Sequence, residues 1–96
     1  MSPKKQIKLN KLRKSLDKLD NSFIKLVKKR TILVKEVLKL KDYKHQIIDK
    51  KRINSILKQI KIKSIKNKID PKITNRIWKN MIWSYIDYEK RNFKKK

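Results

Sequence analysis

Residues 9–41 read LNKLRKSLDKLDNSFIKLVKKRTILVKEVLKLK, and the fold turns on their spacing. Leu9, Leu12, Leu16, Leu19, Phe23 and Leu26 follow one another at intervals of 3, 4, 3, 4 and 3. That is a heptad seam, an apolar stripe repeating about every 3.5 residues. The next seam position holds Arg30, and the stripe resumes with Leu33, Val37 and Leu40. No Gly or Pro interrupts the stretch, so one helix is predicted from Ile7 to Lys41. At ~1.5 Å per residue it would be a rod roughly 50 Å long. A compact domain of ~100 residues has a radius of gyration near ~13 Å. Such a rod is too long for its own chain to cover, and a second copy is the simplest partner.

Arg30 points to function. A guanidinium in an apolar seam is costly unless an anion meets it. The plain explanation is a salt bridge or a locally frayed seam; the functional one is an anionic ligand. Lys41 lies three turns further on, about 20° from Arg30 in projection, so the two cations stack along one side. Arg13 points about 100° away from Arg30. In an antiparallel dimer it could serve the partner's pocket.

Composition narrows the classes. At 96 residues the chain is read as a single domain, 1–96, with basic tails at 1–6 and 94–96. A domain this small gains stability from oligomerisation. With no Gly, two Pro and periodic apolar spacing, it reads as all-α. The absence of Cys excludes a disulfide framework and a thiolate metal site. The single His45 cannot make a metal centre alone, and no acidic cluster supplies further ligands. No apolar run approaches a membrane span, and Met-Ser-Pro-Lys-Lys is no secretory signal. A cytoplasmic protein is expected. The net charge of +23 raises nucleic-acid or anionic-membrane binding. Yet only five of the 31 basic residues are Arg. Lys, Ile and Asn are all abundant, which AT-rich codons would produce, so many lysines can be indifferent surface choices. The scarce arginines are then the informative ones, because planar bidentate recognition needs Arg.

Beyond the long helix, Asp42–Ile48 breaks the period and reads as a loop carrying His45 as an exposed residue. Asp49 is a good N-cap for a second helix over Lys50–Lys66. Its apolar face is Ile53, Ile56, Leu57 and Ile60. Arg52, in its first turn, could pair with Asp49, point into solvent or serve a site. Residues 67–70 form a turn, and Asp70-Pro71 opens a third helix running to about Phe93. Its stripe is Ile73, Ile77, Trp78, Met81, Ile82, Tyr85 and Ile86, then Glu89 and Phe93. Glu89 thus takes an inward position, as Arg30 does, and a buried carboxyl takes up a proton or finds a cation. Trp78 and Trp83 read as packing residues. There is no Gly-rich phosphate loop, no nucleophile triad and no carboxylate pair placed for hydrolysis. What remains is a set of cations around one inward acid. That suits a small multi-anionic substrate and a reaction needing no nucleophile.

Residues 12–20 (Leu-Arg-Lys-Ser-Leu-Asp-Lys-Leu-Asp), then Lys29-Arg30, Val34-Lys35-Glu36-Val37 and Lys41, resemble the first helix of the all-helical chorismate mutases. Asp49-Lys50-Lys51-Arg52 looks like the start of that family's second helix, and the third helix is similar in spacing. The resemblance covers roughly residues 9–92. It implies a three-helix chain with one very long first helix, in an intertwined homodimer of the chorismate mutase type II fold with two shared sites. Arg30 and Arg52, with Arg13 from the other chain, would hold the substrate's two carboxylates. Lys41 would hydrogen-bond the breaking ether oxygen and a carboxylate, and Glu89 would make the second contact to that oxygen. Asp49 and Tyr85 are further candidates for substrate contact. The implied reaction is the Claisen rearrangement of chorismate to prephenate, which needs neither cofactor nor metal.

Two positions depart from the mutase pattern. Many mutases carry Glu immediately after the second-helix Arg, where this chain has Ile53. The run Tyr85-Ile86-Asp87-Tyr88-Glu89 also differs from the Ser-containing mutase pattern. Both features look more like the family's isochorismate pyruvate-lyase branch, which makes salicylate and pyruvate. The remaining alternative is a basic helical nucleic-acid-binding module. It gives no reason for Arg30 and Glu89 to face inward, and so ranks below both enzymes.

Overall fold

The computed structural model describes residues 1–95, in which three α-helices and a short 3₁₀ turn carry nearly all of the chain. Helix α1 spans Pro3–Leu40, the 3₁₀ turn Lys44–Ile47, α2 Lys50–Lys66 and α3 Pro71–Asn92. No strand occurs among the described residues. The chain forms two compact units, Met1–Leu33 and Val34–Lys96.

The first unit is helical throughout from Pro3. Residues 3–6, expected as part of a basic tail, are therefore the first turn of α1. The cause is local: Pro3 sits at the first helical position, and Ser2 receives the orphan amides. Its carbonyl accepts from Gln6 N at 2.9 Å and its hydroxyl from Lys5 N at 3.3 Å. The seam is regular but uncovered. Leu12, Leu16, Leu19, Phe23 and Leu26 are each half or more exposed, and no residue of α1 is buried.

The second unit holds the apolar core. Ile47, Ile82 and Ile86 are buried, and Leu38, Ile48, Ile53, Ile56, Leu57 and Phe93 pack against them. Ile47 is the most buried of the three and lies in the segment read as a loop. That segment is an ordered turn. Gln46 Oε1 accepts from the amides of Asp42 at 2.8 Å and Tyr43 at 2.9 Å, which folds the chain back and turns Ile47 inward. His45 is exposed, as expected, with its ring stacked on Tyr43 at 5.6 Å between centroids.

Helices α2 and α3 form an antiparallel-type hairpin joined at residues 67–70 and packed on one another. The end of α2 is a Schellman cap. Ile69 N donates to Ser64 O at 2.9 Å and Lys68 N to Ile65 O at 3.1 Å, with Lys68 at φ 58°. Glycine usually takes such a left-handed position, and this chain has none. Above the turn, Ser64 Oγ and Thr74 Oγ1 lie 2.6 Å apart as a buried hydroxyl pair between the helices. Each hydroxyl has one hydrogen, so one of the two donates to the other while the other donates to its own helix, Ser64 to Ile60 O or Thr74 to Pro71 O.

Candidate functional site

The site is built around the point where α1 stops. Leu40 ends the helix and Lys41 N still donates to Leu38 O at 3.1 Å, a tightened last turn. This fixes the main chain from which the Lys41 side chain leaves. Its Nζ donates to Glu89 Oε2 at 2.9 Å. The pair is largely withdrawn from water, the side chains being 18% and 8% exposed. Glu89 owes its place to the α3 stripe, since it follows Ile82 and Ile86 on the face that packs inward. A carboxylate taken out of water there needs a cation, and Lys41 supplies it.

An ammonium has three donors. Glu89 takes one, leaving Lys41 with capacity for a ligand oxygen. The space in front of it is an open cleft of about 600 Å³ lined by Lys41, Gln46, Ile48, Asp49 and Lys50. Asp49 is also the N-cap of α2, where its Oδ1 accepts from Arg52 N at 3.0 Å. The contact to Arg52 thus runs through its main chain. The Arg52 side chain is exposed and, among the described residues, its guanidinium has no ion-pair partner. Tyr85 is half-buried on α3, one turn before Glu89 and on the same face. Ile53, next to Arg52, packs against the apolar core. No carboxylate stands at that position.

In the first unit, Arg13 is exposed and Arg30 half-buried. Arg30 Nε is buried and, among the described residues, has no hydrogen-bond partner. A buried donor left in this state costs ~1–3 kcal/mol, more for a charged group. Arg30 therefore carries one buried donor without a partner on a residue that is otherwise half-buried.

Two contributors were not legible in the spacing. Gln46 orders the turn that leads to Asp49, and Lys95 binds the end of α1, with Nζ donating to Lys39 O at 2.6 Å. Gln three residues after Tyr43 is a capping-box spacing and could have flagged the first. A terminal lysine among many carried no signal for the second.

The family model for chorismate mutase type II matches residues 12–90, which span α1 from Leu12, the 3₁₀ turn, α2 and nearly all of α3. No curated protein and no solved structure gives a significant match.

Proposed function

This chain belongs to the chorismate mutase type II family, and we propose that it catalyses the Claisen rearrangement of chorismate to prephenate for aromatic amino-acid biosynthesis. One ether C–O bond breaks and one C–C bond forms within a single molecule, with no net transfer of protons or electrons. The protein's task is to hold the reactive conformer and to stabilise the charge that grows on the ether oxygen.

The observation that carries this reading is the largely buried Lys41–Glu89 pair, whose lysine lines the cleft. Lys41 keeps donors for the ether oxygen and a carboxylate. Glu89 fixes the ammonium in place beside that oxygen. Arg30 and Arg52 supply guanidinium forks for the two carboxylates, and Arg13 of a second copy completes the set. Asp49 shapes the cleft beside Lys41, and Tyr85 lies on the same α3 face as Glu89. The site needs neither metal nor cofactor.

Two features support a homodimer with shared sites. The α1 seam is exposed over Leu12–Leu26, and the Arg30 Nε lacks a partner. Both are accounted for if a second copy lies against the seam and a dianionic substrate meets the guanidinium. No helix among the described residues is long and apolar enough to cross a membrane. A cytoplasmic, single-domain enzyme working on a small soluble substrate fits these features, and nucleic acid is not required as a partner.

Ile53 favours a second reading. Its side chain is spent in the core, so position 53 offers no carboxylate to a ring hydroxyl. That suits the isochorismate pyruvate-lyase reaction, with release of salicylate. One assay offering chorismate and isochorismate separately tests both. Prephenate formation that is lost in Arg30→Ala supports the mutase, and salicylate as the sole product supports the lyase. Turnover of neither would overturn the assignment.

A further inference from the structure

The end of α1 is held from α3 at more than the Lys41–Glu89 pair. After Asn92 the chain leaves the helix at Phe93, which is extended (φ −72°, ψ 120°) and half-buried against the apolar core, as is Leu38 of α1. Leu38, Lys39, Phe93 and Lys95 line one shallow cavity of about 180 Å³, so the tail runs alongside the last turn of α1. Two residues after Phe93, Lys95 Nζ donates to Lys39 O at 2.6 Å and lies 3.7 Å from Asp42 Oδ1.

The last carbonyls of a helix have no intrahelical donor, and a cation there both satisfies one and complements the helix dipole. Lys39 and Asp42 flank Lys41 on either side. The tail thus holds the main chain two residues before Lys41, whose ammonium Glu89 holds, and faces the carboxylate of the residue after it. A lysine held by its ammonium alone could still swing about its own backbone. Held also at the flanking peptide and carboxylate, it has one exit vector.

We propose that Lys95 is a positioning residue: through the Lys39 carbonyl and the Asp42 carboxylate it fixes the main chain that aims Lys41 into the cleft. This rests on the catalytic reading of Lys41 for its kinetic consequence, but not for its structural one. The exposed Lys95–Asp42 contact contributes little to stability by itself. The effect belongs to geometry, where a small misplacement of a catalytic donor is costly.

The test compares full-length wild type, Lys95→Ala and Lys95→Arg by amide hydrogen exchange and by turnover. In Lys95→Ala the Lys41, Asp42 and Tyr43 amides should exchange several-fold faster, with the melting temperature little changed. Its kcat should fall about threefold or more while KM stays nearly constant. Lys95→Arg should restore both. Wild-type exchange and kcat in Lys95→Ala would overturn the proposal. A fall in melting temperature in both variants, with exchange rising throughout the chain, would also overturn it, as a stability role. If wild type turns over neither substrate, the assigned reaction falls, and the local exchange at residues 41–43 still decides the role of Lys95.

Discussion

Arg30 and Glu89 are both charged residues on apolar stripes, and the structure treats them differently. Glu89 has its cation within the chain, at 2.9 Å. Arg30 Nε has no partner among the described residues. Their substitutions should therefore differ. Arg30→Met removes an unsatisfied donor, so the chain should hold its stability or gain ~1 kcal/mol in thermal unfolding, while turnover falls roughly 10²-fold. Lys41→Ala leaves a carboxylate buried alone, and should cost ~3 kcal/mol of stability as well as most of the activity. Glu89→Gln keeps the shape but removes the charge that holds the Lys41 ammonium, so kcat should fall roughly 10-fold; unchanged turnover would remove that role. At this scale the sequence was partly legible. The inward positions of Arg30 and Glu89 could be counted from the heptad and the α3 stripe. The resemblance put Lys41 and Glu89 at one site, but their direct ion pair could not be counted from spacing, because it depends on where α1 stops and how the Gln46 turn brings the chain back. The Ser64–Thr74 hydroxyl pair was equally invisible, since neither residue breaks any pattern.

Among the elements, the best-read were those with chemical punctuation. Asp49 and Asp70-Pro71 mark the starts of α2 and α3, and both caps are made through side-chain oxygens, to Arg52 N and Lys72 N. The start of α1 was misplaced because a lysine-rich stretch reads as solvated tail, whereas Ser2-Pro3 already supplies a cap and a pre-set first residue. The turn after α2 offers a clean prediction. Lys68 pays a left-handed backbone penalty that Gly would not, so Lys68→Gly should stabilise the hairpin by about 1 kcal/mol in chemical unfolding. A loss of stability would mean that the lysine side chain contributes there. Asp49→Ala should act in the opposite sense, removing about 1 kcal/mol with the N-cap.

The whole molecule combines a small interior with a large charge. Three apolar side chains are buried in the described chain, against a net charge of +23. The charge should hasten capture of a dianionic substrate, so kcat/KM should fall as salt rises past the ~10 Å screening length of about 0.1 M. It should also oppose the proposed pairing, so sedimentation should show dimers tightening over the same range. A salt-independent association constant would count against a seam between two such cations. The apolar periodicity of α1 was readable from the first, because period alone sets which side chains share a face. What covers that face was not, since one chain's sequence names no neighbour. The uncovered stripe from Leu12 to Leu26 then has a physiological corollary. If each subunit gains most of its interior only by docking, output per polypeptide is not fixed but climbs with expression level. Scarce chains would be idle and open to proteolysis, and the cell would see a dosage threshold before flux begins.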